Sequence, residues 1–223
     1  MKRTMCIAAL AAMVTVQGCG DDAVHDARAV VNQTNRDQLE YGGDPMPSEE
    51  IQAKMEQVCR QAIETSNNGD WEAHLEYYLP DVFNGPDARA GWLKIAQHYD
   101  SIGWYNEYTK LDIRSISPLV PYKGGQCSVI NADFVQRVHF GEQYAGIKEQ
   151  YLGQFEERYG TRAAVKWDPE IEEYSVAGRE YFYAFVPDTS DAVFMLQGRS
   201  LEEPHIAGKF ELLDLRRLMS YRD

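Results

Sequence analysis

The chain predicts an α+β domain in which amino-terminal helices pack on a mostly antiparallel sheet. Apolar residues recur at helical spacing from Ser48 to Gly103, and period-two alternation takes over from Tyr105 to Gln197. Glycine or proline marks many of the changes between them. Helices gathered ahead of strands, rather than alternating with them, define this class.

The first helix follows Pro47, with Ser48 as its cap, two early acids, and Ile51, Met55, Val58, Cys59, Ala62 and Ile63 along one stripe. Asn67-Asn68-Gly69 stops it. Asp70 caps a short second helix carrying Trp71, Leu75 and Tyr78, which Pro80 ends. A third begins at Asp87 and places Trp92, Ile95, Ala96, Tyr99 and Ile102 on one side before Gly103. Strands are then expected at Tyr105 to Ser117 and, after the turn Lys123-Gly124-Gly125, at Gln126 to Phe140. Ile147, Tyr151, Leu152, Phe155 and Tyr159 return to helical spacing. Further strands fit Arg162 to Trp167, Glu172 to Val176, Arg179 to Val186 and Ala192 to Gln197. Leu212 to Met219 fits a last helix, with a strand as the alternative.

The amino terminus carries an address. Lys2 and Arg3 precede a short apolar run, Met5 to Val16, and small residues lead to Cys19, the layout of a secretory signal over residues 1–18. The run is too short to span a bilayer, which takes roughly 20 residues. Val16, Gly18 and Cys19 resemble the lipobox of bacterial lipoproteins, with Gln17 in place of the usual small residue. That resemblance implies acylation at Cys19 and a partner in the membrane itself, since two or more chains anchor firmly. It places the chain in the bacterial cell envelope, on the outer membrane facing the periplasm, Gly20 being no acidic retention residue. Residues 19–47 are polar and glycine-containing, and read as a flexible linker with a reach of about 30 Å. Residues 48–223 form the single domain.

The formal net charge of −13 repels phosphate backbones, so nucleic acid is not an expected partner. The five histidines are scattered, with no metal-ligand spacing, and no cofactor or metal is expected. No nucleophile elbow is present, and Gly124-Gly125 lacks the lysine and helix start of a phosphate loop.

Cys59 and Cys127 are the two cysteines of the domain. An oxidising compartment suggests a disulfide between them, the alternative being two small buried hydrophobes. The answer sets the direction of the long strand. One face carries Ile130, Ala132, Phe134, Val138 and Phe140, and the other Cys127, Val129, Asn131, Asp133, Val135, Arg137 and His139. A bond to Cys59 would turn the second set toward the helices and line a polar pocket. Without the bond, the apolar set faces inward and forms a dry core. A β-bulge between Cys127 and Asn131 would swap the parity.

The order of elements from Ser48 to Gln197 resembles the nuclear transport factor 2-like superfamily. The segments that carry the resemblance are Ile51 to Asp70, Asp70-Trp71 through Leu79-Pro80-Asp81-Val82-Phe83, and the pair Glu180 to Phe185 with Val193 to Leu196. It implies a strongly bent sheet wrapped over helices as a cone, with the helix at Ile147 to Tyr159 an insertion. Members include isomerases, polyketide cyclases and dehydratases that use an Asp, His or Tyr in the cone, though no motif here matches one residue by residue. The ligand-binding candidates are Asn131, Asp133, Arg137 and His139, with Tyr78 and His74 from the second helix. Asp133 and His139 are the candidates for acid-base work. The expected function is a tethered, noncatalytic envelope module binding a small ligand or a protein, with a homodimer through the sheet face as one form. The alternative is an isomerase, cyclase or dehydratase using the pocket.

Overall fold

The computed structural model describes residues 44–83, 85–140, 153 and 163–222. The signal sequence, Cys19, most of the linker and the expected helix Ile147 to Tyr159 lie outside the described residues.

Helix α1 spans Glu49–Asn68. Ser48 Oγ accepts from the Ile51 amide at 3.3 Å, and Glu49 and Glu50 sit where the helix dipole favours acids. Gly69 ends it in the left-handed region at φ 69°, its amide turned back to the last carbonyls. Helix α2 is Trp71–Glu76, capped by Asp70, and α3 is Pro86–Ser101.

The sheet is six-stranded and antiparallel: β1 Tyr105–Ile116, β2 Val120–Tyr122, β3 Gly125–His139, β4 Ala163–Asp168, β5 Glu173–Pro187 and β6 Phe194–Gln197. Two strands of 15 residues, β3 and β5, form its spine. Strands β1 and β4 flank them at one end, β2 and β6 at the other. The segments Glu172 to Val176 and Arg179 to Val186 are thus one strand. Register shifts in β1 at Tyr108/Lys110 and Ile113/Ser115 mark bulges, which bend and twist a strand. Asn67 fills the first, its amide donating to Tyr108 O at 2.7 Å and its oxygen accepting from Tyr108 N at 2.9 Å. At the β2–β3 turn Gly125 is required by space, because a Cβ there would stand 2.2 Å from Val186 O. Short helices α4, Pro204–Ala207, and α5, Leu212–Ser220, close the chain.

Pairing of β3 with β5 runs unbroken from Gly125↔Pro187 to His139↔Glu173, so side chains alternate strictly between two faces. On the first face Ile130, Ala132, Phe182 and Ala184 pack with Met55, Cys59 and Ala62 of α1. Further along, Phe134, Val138, Tyr174 and Val176 pack with Trp71, Leu75, Ala96 and Trp104. On the second face Cys127, Val129, Tyr183 and Phe185 are covered by Leu201, Ile206, Phe210 and Leu218.

The expected Cys59–Cys127 disulfide is therefore corrected. Both cysteines are free and fully buried, one under α1 and the other across the sheet beneath the carboxy-terminal helices. Side chains on opposite faces cannot reach the geometry a disulfide demands. Burial pushes the Cys59 thiol up to about 12 and the Cys127 thiol well above its usual value, which makes both inert. Iodoacetamide is expected to spare both in the native protein and alkylate both in denaturant, with no change in Tm on reduction. A pair of thiols recovered only after reduction would contradict this arrangement.

Residues just ahead of Ser48 contact the domain. Asp44 accepts from Arg217 at 2.9 Å and from the Tyr221 hydroxyl at 3.1 Å, and Pro45 O accepts from Leu119 N. Asp44 and Pro45 of the expected linker are thus held against α5 and the β1–β2 connection.

Candidate functional site

Free cysteines select the second of the two parities, with the apolar face inward. The six residues expected to share a pocket are divided by the sheet. His74 lies on the helix side, between Trp71 and the Ala62 carbonyl, and Tyr78 packs at the β6 end with Val129, Tyr183 and Leu196, whereas Asn131, Asp133, Arg137 and His139 point to the second face.

His74 is 2% exposed. Its Nδ1 stands 2.7 Å from Ala62 O, a group that can only accept, so Nδ1 carries the proton. Nε2 is buried with no hydrogen-bond partner. Trp71 and Tyr78 meet the ring edge-on at centroid distances of 5.8 and 5.1 Å. Burial pulls its pKa down to about 4, against a smaller upward pull from the Ala62 carbonyl. A neutral, enclosed imidazole between two aromatic rings is a packing element here. Tyr78 lies beside β6, bridged to Met195.

On the second face, Asn131 is structural. Its amide donates to Ser115 Oγ at 3.1 Å and to Tyr221 O at 3.0 Å, tying the sheet to the end of α5. Arg222 covers the neighbouring Tyr181 and Tyr183 rings at 5.4 and 5.3 Å. Asp133 stands between Arg114 and Arg179, at 3.5 and 3.7 Å. All three are solvated, so these pairs contribute little stability. Asp133 and Arg179 rim a shallow depression of about 360 Å³, with Lys110 as its second cation and Val135, Ala177 and Gly178 as its small floor. Arg137 is exposed on the next row.

His139 has two partners that composition and spacing did not reveal. Register aligns Tyr105, His139 and Glu173 across β1, β3 and β5. The rings of Tyr105 and His139 stack at 4.8 Å and 13°, and the Tyr105 hydroxyl donates to Glu173 Oε1. His139 Nδ1 is 3.9 Å from the same oxygen. Glu173 belongs to a cluster that only strand register assembles, and no local motif announces it.

Among the described residues no three His, Cys, Asp or Glu side chains gather as a metal site. No described helix is long and apolar enough to cross a membrane. No family model matches the chain, and no curated protein does.

Proposed function

We propose that this chain is an envelope lipoprotein, exported and held by acyl chains on Cys19, whose domain binds an acidic protein partner through the second face of the sheet. The helix side of the same sheet is packed with aromatic and aliphatic side chains, and the second face presents Lys110, Arg114, Arg137 and Arg179 to solvent. The observation that carries the reading is the depression beside Asp133. In a chain of net charge −13, Lys110, Arg114 and Arg179 converge there on one exposed surface. A partner carboxylate seated between Lys110 and Arg179 would compete with Asp133 for the guanidinium and gain charge-assisted hydrogen bonds. The order of helices and strands supports the nuclear transport factor 2-like reading, with the binding surface moved outside the cone. The isomerase or cyclase alternative would need Asp133 and His139 in one pocket with His74, and the sheet stands between them.

A photo-crosslinking residue at position 112, opposite Asp133 and leaving Lys110 and Arg179 intact, tests the proposal in the full chain expressed in a diderm bacterium. A discrete adduct is expected, abolished by Arg179→Glu and retained when the probe-bearing chain also carries Gln61→Ala on α1. An adduct of exactly doubled mass would identify a second copy of the chain as the partner. Absence of any discrete adduct would sink the reading. Cys19→Ala is expected to release the chain from the membrane fraction.

A further inference from the structure

We propose that Tyr105, Glu173 and His139 form an acid-base site on the second face, with His139 as the proton-transferring group and a small anionic molecule as substrate. Three adjacent strands bring a phenol, an imidazole and a carboxylate into one row. Tyr105 is 5% exposed and Glu173 7%, whereas the His139 side chain keeps 24% of its surface. The carboxylate lies on the Nδ1 side of the imidazole, and with Nδ1 buried it is Nε2 that is left to meet a substrate. A base needs this order: one nitrogen held from behind, the other presented to substrate.

A purely structural ion pair would be closed, and this one is not. His139 Nδ1 and Glu173 Oε2 are both buried without a hydrogen-bond partner, and Nδ1 stops 3.9 Å short of Oε1. Buried polar atoms are ordinarily satisfied, so two orphans side by side require a reason. A pair that tightens only when charge develops on the ring supplies one, and catalytic hydrogen bonds are commonly long before substrate binds. Tyr105 fixes Glu173 from one side by its hydrogen bond and His139 from the other by stacking.

In the step, Nε2 takes a proton from a substrate hydroxyl or from an attacking water, and the electron pair of the broken O–H bond remains on oxygen. The imidazolium is balanced by the Glu173 carboxylate through Nδ1–H, and its proton later returns to solvent. Glu173 is thus a positioning residue. Arg137 supplies the substrate preference. It lies two residues before His139 on the same face, about 7 Å along the strand, and is exposed. A carboxylate or phosphate that close to the transferred proton would meet its guanidinium.

The full chain is tested with 4-nitrophenyl acetate and mono-4-nitrophenyl succinate. Water adds to the ester carbonyl as its proton passes to Nε2, and 4-nitrophenolate leaves. His139→Ala is expected to slow both esters by at least ~10-fold and Glu173→Gln by about 10-fold. Arg137→Ala is expected to slow the succinate ester more than the acetate. Ring ¹⁵N shifts should show the proton of neutral His139 on Nδ1 in the parent and on Nε2 in Glu173→Gln, a change that a packing role would not produce. If Glu173→Gln does not fold, Tyr105→Phe keeps the carboxylate and is expected to cost ~3-fold in rate. Parent rates in His139→Ala, or an unchanged rate in both Glu173→Gln and Tyr105→Phe, would overturn the site and leave the crosslinking result untouched.

Discussion

Lowering the pH from about 7 to about 4 is expected to cost the native fold about 3 kcal/mol at His74 alone. In the unfolded chain this imidazole takes up a proton below its ordinary value of 6.5, whereas in the fold burial delays uptake to about 4. The native state holds it neutral, so the stabilisation is complete above pH 6.5, falls away as the pH drops through that window, and is gone by about 4. Protonation would place a charge between Trp71 and Tyr78 with no acceptor at Nε2. His74→Asn keeps an N–H for the Ala62 carbonyl and cannot titrate. Denaturant melts at several pH values should show a flatter acid slope in His74→Asn than in the parent, and parallel slopes would refute the assignment. Carboxylates titrate in both proteins and cancel in the difference.

The second large effect reads out the facing of the spine. Phe134→Ala is expected to cost about 4 kcal/mol, within the range for emptying a buried aromatic site. Phe134 is 2% exposed, meets the Tyr108 ring edge-on at 5.8 Å and lies in the cluster of Trp71 and Trp104. Its neighbour Val135 points to the other face, half-buried on the floor of the depression. Val135→Ala should cost about 1 kcal/mol or less, because solvent fills what the side chain leaves. Urea melts of the two variants with equal m-values would measure the contrast. The reverse ranking would mean that β3 faces the helices with its polar set.

Much of the fold was legible because its signals are local. Ser48, Glu49, Glu50 and Gly69 bracket α1 with groups whose chemistry acts within one turn, and Gly124-Gly125 marks a turn for the same reason. Strand β5 was read as two pieces because Ala177-Gly178 resembles a break. The strand runs through, since β3 and β4 pair with it on both sides at that point. The candidate site was legible only as alternatives. Alternation along β3 sorted Asp133, Arg137 and His139 from Phe134 and Val138, but the side that faces the helices depends on what packs there. His74 was a fair reading of a helix and a poor reading of a pocket, because burial of an imidazole leaves no trace in spacing. Tyr105 and Glu173 lie far apart in sequence, and only register across three strands makes them neighbours.

That same register has a kinetic consequence. Strands β1 and β3 are joined through a short strand and a two-glycine turn, so their pairing closes from the turn outward at modest entropic cost. Strands β3 and β5 must find each other across the segment 140–172, and until they do neither core has its sheet wall. The slowest step of folding is expected to be the search for the His139↔Glu173 end of the spine, the shortest loop that starts the zipper. A slip of one residue there would exchange the two faces along the full length of β5, so the correct product is chosen at the moment that end is pinned.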